Sequence, residues 1–402
     1  MLSDRKTINR VALLFTVMYM VSYITRINYG AIISEMVIDT GHSKSMLSMA
    51  LTGSFITYGA GQIISGVLGD RFSPKKLLGI GLLASVSMNL LIPFCTSPYQ
   101  MLGVWCVNGF AQSFMWPPLV RLMTGLLSME DYSRVTVKVS WGSSFGTIIV
   151  YLLSPLLIRY FGWRSVFFFS AAVGVVMLGI WMWKGYDIEP LPRQKKIDKG
   201  SAASGAKIIR FWMIGILLCI VMQGLLRDGV TTWMPSYIGE TYNLGSEISI
   251  LTGVLLPVFG IGCMQLTSMV FRRKPGAPLL CAALFFGLGA SSALVLNFVS
   301  GGSAILSVLF SALLTGCMHG VNLILICMLP PFFRDTGKVS TVSGVLNACT
   351  YIGSALSTYG TALLTERFGW SVTLLLWVSV ASVGTLVCLA CAPLWKKTFL
   401  KK

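Results

Sequence analysis

The sequence predicts an all-α membrane protein with twelve transmembrane helices in two pseudo-symmetric six-helix bundles. Three observations carry that expectation. Hydrophobic residues make up 55% of the chain and charged ones 11%, with a mean hydropathy of +0.76, which is more apolar surface than a water-soluble core of this length can hide. Apolar windows of about twenty residues, enough helix to cross the hydrocarbon layer, recur along the whole chain. Short motifs also recur at equivalent places in its two halves.

Scanned in order, the windows fall near 11–37, 46–69, 77–95, 99–126, 135–159, 163–184, 208–239, 245–271, 278–298, 302–330, 339–365 and 371–395. The first is too long for a cleaved leader, is followed at once by another span and has no small-residue cleavage site, so it is expected to stay in the protein. With both termini cytoplasmic, the inside collects Arg5, Lys6, Arg10, Arg71, Lys75, Lys76, Arg121, Arg134, Lys138, Arg272 to Lys274, Arg334, Lys338 and the C-terminal lysines. The outside keeps Lys44, Arg159, Arg164 and Arg367. That lysine and arginine bias sets the orientation of a multi-pass protein of the cell (inner) membrane.

The stretch 185–207, with Pro190, Pro192, Gly200, Ser201 and Ser204 among lysines, divides the chain into an N-terminal bundle (1–184), a cytoplasmic linker and a C-terminal bundle (208–402). The bundles echo each other. Arg159-Tyr-Phe-Gly-Trp163 closes the fifth span and Glu366-Arg-Phe-Gly-Trp370 the eleventh; Pro117-Pro118 with Arg121 ends the fourth and Pro330-Pro331 with Arg334 the tenth. Duplication of this kind places a substrate site between the halves, near the membrane midplane.

The net charge of +17 does not indicate nucleic acid, because the basic residues sit in short loops between apolar runs and not on a folded basic face. The ten cysteines lack paired or metal-like spacing and are read as reduced packing residues, with no metal or other cofactor. No catalytic constellation and no Walker-type loop is present, which argues against an enzyme or an ATP-driven pump.

Arg26 and Arg227 sit near the middle of the first and seventh spans, the corresponding helices of the two halves. An arginine at that depth costs at least roughly 2.5–3.5 kcal/mol on insertion scales, so it faces a bundle interior or a watery cavity. Of the fourteen acidic residues only Asp228 lies at mid-depth. Being adjacent to Arg227, it is expected to point about 100° away around the helix. The expected site is therefore net positive and takes an anion, with guanidinium forks suited to carboxylate or phosphate. Tyr19 and Tyr23 share Arg26's face through i, i+4, i+7 spacing. His319, mid-span in the tenth helix, either contacts cargo or bonds a neighbouring helix. Lys138, Ser144, Asn108, Gln112 and Tyr351 are polar groups on helices that either face the cavity or glue helices together.

Thr25-Arg26-Ile27-Asn28, Trp116-Pro117-Pro118 with Arg121, and Leu226-Arg227-Asp228-Gly229 running to Trp233-Met234-Pro235-Ser236-Tyr237 resemble the organophosphate:phosphate antiporter family, end to end. Gly69-Asp70-Arg71 followed by Ser73-Pro74-Lys75-Lys76 resembles the loop signature of the wider major facilitator superfamily, which implies a cytoplasmic gate at Asp70 and Arg71. The resemblance implies that Arg26 and Arg227 grip a phosphate with Tyr19, Tyr23 and Trp116 close by, and that the bundles rock to exchange phosphate for an organophosphate. The family's glycerol-phosphate branch carries lysines where this chain has Ile27 and Gln62. It also has a histidine four residues after the tryptophan matching Trp141, where Phe145 stands here. The implied partner is a small anionic metabolite, with inorganic phosphate as the exchange ion, handled by a monomer in the lipid bilayer. Two alternatives stand beside antiport: a proton-coupled symporter of sugar acids or other organic anions, with Asp228 or His319 titrating, and a non-transporting sensor of sugar phosphates.

Overall fold

The structure, a computed structural model, describes residues 2, 4–185, 211–243, 252 and 255–399. Apart from Gly185, the expected linker lies outside the described residues, as do the first residues of the expected seventh and eighth spans. Among the described residues the regular structure is helical: α1 (Arg5–Ala31), α2 (Ile33–Thr40), α3 (Lys44–Arg71), α4 (Pro74–Leu91), α5 (Pro98–Gln112), α6 (Pro117–Leu126), α7 (Met129–Phe161), α8 (Arg164–Lys184), α9 (Phe211–Tyr242), α10 (Leu255–Arg273), α11 (Pro278–Val299), α12 (Ala304–Asn322) and α13 (Val339–Phe399).

Nine stretches of described helix are long and apolar enough to cross a membrane. The three other expected spans are present in altered form. The second, α3, is helical throughout but diluted by Gly, Ser and Thr. The fourth is split into α5 and α6 because Pro117 and Pro118 lack amide donors and so begin a new helix. The eleventh is fused with the twelfth in α13, which bends at Gly369 (φ 74°). The tenth shows the counterpart of the α5–α6 break: α12 passes into a π turn, Leu323–Met328, and then a 3-10 turn at Pro330–Thr336. Local signals set many of the ends. Asp4 caps α1 by accepting from the Lys6 and Thr7 amides at 3.2 and 2.9 Å, and Ser97 with Gln100 forms a capping box on α5.

The chain divides into two compact units, Met1–Gln194 with Phe333–Ala348, and Lys195–Phe332 with Cys349–Lys402. In the first unit α1 crosses α7 at backbone distance: a Cβ on Gly142 or Gly146 would strike the carbonyls of Thr16 and Met20. In the second unit α9 crosses α13 in the same manner, with Gly224 against the Thr350 carbonyl and Gly353 against that of Val221. Without a hydrophobic drive between helices in lipid, such close approach is how membrane helices gain contact energy.

The motif that closes the fifth and eleventh spans folds identically in both units. Gly162 and Gly369 take φ of 76° and 74°, a region L side chains rarely enter. The tryptophan that follows each donates its indole N–H to a carboxylate at the end of that unit's first span: Trp163 to Asp39 and Trp370 to Glu240, both at 2.7 Å. Arg164 adds a 3.1 Å bond to Asp39. These bonds hold the Asp39 carboxyl below the usual carboxylate range, the Trp163 bond most strongly.

Candidate anion site

In the first unit a polar network fixes the rotation of α1. Asn89 and Asn108 donate to the Thr25 carbonyl at 2.9 and 3.2 Å, and Gln112 donates to the Thr25 hydroxyl at 2.8 Å. Asn28 donates to Asn89 at 2.7 Å and to Ser170 at 2.9 Å. All of these side chains are buried, so Asn108 and Gln112 bind helices together. With Thr25 and Asn28 turned inward, Arg26 presents on another face, half-buried. Its guanidinium carbon lies 4.1 Å from the ring centroid of Tyr23 and 4.8 Å from that of Tyr58. Tyr19 packs on Tyr23 and Trp116, with centroids at 5.2 and 5.1 Å.

Arg26, Tyr19, Tyr23 and Trp116 are thus brought together. Tyr58 is the residue that sequence reasoning missed, and a signal was present: it lies one helical turn before Gln62, on the same face of α3. Gln62 is fully buried with neither amide atom hydrogen-bonded among the described residues, and the indole N–H groups of Trp116 and Trp141 are in the same condition. Trp141 and Ser144 sit around the crossing glycines of α7, both half-buried. Lys138 is exposed, and its ammonium reaches Asn9 at 3.5 Å. Asn9 lies about 25 Å along α1 from Arg26, so Lys138 is at the helix's N-terminal end, away from the arginine.

At the end of α3, Asp70 accepts from the backbone amides of Ser340 and Thr341 at 2.9 and 2.7 Å. These open the first turn of α13, where unpaired N–H groups and the helix dipole favour a carboxylate. Arg121 donates to the Gly69 and Phe72 carbonyls at the same helix end. Arg334 donates to the Thr124 and Leu127 carbonyls. Arg71 is exposed.

The second unit requires a correction. Asp228 does not turn away from Arg227: Arg227 Nε donates to Oδ1 at 2.6 Å and Nη2 to Oδ2 at 2.9 Å. The Cα–Cβ directions do diverge, but the arginine stem is long enough to fold back over its neighbour. Arg227 is therefore neutralised by its own adjacent carboxylate, and the expected net-positive site loses one charge. The Ser354 hydroxyl on α13 donates to Asp228 Oδ2, and His319 on α12 lies within electrostatic range of both Arg227 and Asp228. One turn before the arginine, Gln223 donates to the Met318 carbonyl at 3.2 Å. Tyr351, one turn before Ser354, is half-buried.

The family model of the Major Facilitator Superfamily matches residues 15–358. Among relatives, the membrane sensor protein UhpC of Escherichia coli (strain K12) is 24% identical over 266 residues, which cover 61% of this chain and 59% of that protein. The chain thus spans under two thirds of that relative's length. The glycerol-3-phosphate transporter of Bacillus subtilis (strain 168) is 25% identical over 388 residues, covering 87% of this chain and 84% of the transporter. Among solved structures, the proton:xylose symporter XylE superposes with a TM-score of 0.76 at 13% identity, covering 99% of this chain and 97% of that one. The E. coli fucose:proton symporter FucP gives a TM-score of 0.75 at 12% identity, covering 96% and 99%. At such identities the likeness is one of fold.

Proposed function

The chain belongs to the major facilitator superfamily, and on that premise we propose that it is a secondary active transporter of small organic anions, working by organophosphate/phosphate exchange and alternating access. The observation that carries the proposal is the pair of mid-span arginines, Arg26 and Arg227, on the corresponding helices of the two halves. Each is held by side chains that position a guanidinium without covering it completely: aromatic rings at Arg26 and a displaceable carboxylate at Arg227. The named activity of the Bacillus subtilis relative supports a phosphorylated cargo. In this reading Tyr19, Tyr23, Tyr58 and Trp116 wall the grip at Arg26. The bond from Asp70 to the start of α13 serves as a cytoplasmic gate that breaks and reforms in each cycle. Both termini are cytoplasmic, the membrane is the inner one, and the working unit is a monomer.

The test is uptake of labelled phosphate and of a panel of sugar phosphates and sugar acids into proteoliposomes, with and without internal phosphate or a pH gradient. Trans-stimulation by internal phosphate is expected. Uptake that follows the proton gradient and ignores internal phosphate would sink the exchange mechanism. The likeness to a named membrane sensor favours a second reading, in which ligand binds without crossing; binding of glucose 6-phosphate with no accumulation would support it.

A further inference from the structure

We propose that Asp228 is the resident counter-ion of Arg227, displaced by the cargo anion and protonated as it leaves, so that each anion bound takes up one proton. The inference rests on the transport reading only in taking Arg227 as an anion grip. It starts from geometry. The two donors that Asp228 occupies, Nε and Nη2, form the edge of a guanidinium that makes a bidentate bond with carboxylate or phosphate. A cargo oxyanion seeking that edge meets an oxyanion already there.

Three features make the occupant removable. The Asp228 side chain keeps 30% of its surface exposed and that of Arg227 16%, so the pair is not sealed by its neighbours. Ser354 gives Asp228 a second partner and has the Thr350 carbonyl, at 3.0 Å, as an acceptor of its own. Adjacency on one helix means the carboxylate need only rotate about its side-chain bonds, with no backbone movement. Once parted from the guanidinium, a carboxylate at this depth bears the cost of an uncompensated charge, which a proton removes.

The balance is simple. Arg227⁺·Asp228⁻ plus anion plus H⁺ gives Arg227⁺·anion plus Asp228 as its neutral acid. One O–H bond forms, the proton comes from water on the open side, and it leaves when the anion leaves. A dianion thereby crosses with one compensating charge. The charged and titratable groups that act on Asp228 are Arg227 on its own helix and His319 on α12, and Tyr351 stands one turn before Ser354 on α13. The residue of α10 that abuts the His319 ring is Gly260, which adds no charge. His319 is thus the competing proton acceptor, and the test separates the two.

Purified full-length protein in detergent, in weakly buffered solution near pH 7, is titrated with gluconate, which is fully ionised there, so any proton taken up belongs to the protein. Inorganic phosphate and glucose 6-phosphate are run in parallel by calorimetry in buffers of differing ionisation heat. Wild type should take up about one proton per anion bound. Asp228→Asn should take up none and bind about tenfold tighter at pH 8, its intramolecular competitor gone. His319→Gln should keep the uptake. Binding to wild type without proton uptake overturns the proposal, and this measurement needs no variant to fold. Loss of uptake in His319→Gln with retention in Asp228→Asn overturns it in favour of the histidine. If none of the three probes binds wild type, or all bind Arg227→Ala equally well, the anion-grip reading falls and the counter-ion falls with it.

Discussion

Arg26 and Arg227 stand on corresponding helices, yet opposite chemistry holds them. In the first unit two ring faces, Tyr23 and Tyr58, flank the guanidinium; a ring attracts a cation through its quadrupole and uses no N–H to do so. In the second a carboxylate takes two N–H groups at once. An aromatic ring meets the cation without cancelling its charge. A carboxylate cancels that charge until something displaces it. The duplicated fold has therefore kept the location of a cation in both copies while setting rings against one and a carboxylate against the other. The scaffolding differs in parallel: both arginine helices cross a partner at backbone distance, and α1 is pinned in addition by an amide network around Thr25 and Asn28, where α9 has the bond from Gln223 to the Met318 carbonyl.

The comparison can be broken most severely at the arginines. Arg26→Lys and Arg227→Lys should each abolish transport, a loss of about 2–5 kcal/mol in cargo binding, because an ammonium cannot reproduce the planar fork. Normal uptake by either folded variant would refute its role. Next come the crossings. Gly146→Ala and Gly353→Ala should each lower stability by about 1–3 kcal/mol, seen as a reduced Tm in detergent; an unchanged Tm would mean the helices can part at no cost. At the cradle, Tyr58→Ala should weaken anion binding by about 1–2 kcal/mol while Tyr58→Phe stays near wild type, since the face of the ring and not its hydroxyl meets the cation. Equal losses in the two would place the function in the hydroxyl.

The smallest effect belongs to the tryptophan bonds. Trp163→Phe and Trp370→Phe should each cost about 1 kcal/mol or less. The first should also change the pH dependence of stability. Asp39 is lowered in the folded state, so its contribution is complete above the unfolded carboxylate value and fades as pH falls through the lowered one. A Trp163→Phe protein whose acid limb of stability matches wild type would contradict that assignment.

Much of this was legible in the chain because lipid is a simple solvent. Apolar length, loop charge and buried arginines each answer to one dominant energy, and so the spans and the matched pair could be read directly. The pairing of Arg227 with Asp228 was misjudged because helical angle describes where Cβ points, while a long side chain has several rotatable bonds with which to return. Tyr58 was passed over because a lone tyrosine in an apolar run looks the same whether it packs or cradles; the arginine beside it comes from a helix distant in sequence. Asn108 and Gln112 had the opposite fate, since polar groups that glue helices and polar groups that face a cavity share one composition. The association of 333–348 with the first unit could not be foreseen from hydropathy, because backbone amides taken up by Asp70 leave no trace in side-chain pattern.

The two tryptophan bonds also equip the protein with its own reporters. Among the described residues, Trp163 and Trp370 donate to carboxylates, and a charge-assisted N–H gives a proton resonance shifted away from those of ordinary indoles. One signal belongs to each unit. Labelling tryptophan alone would therefore let the Trp163 and Trp370 ends of the two units be followed separately as ligand is added, with no foreign probe attached.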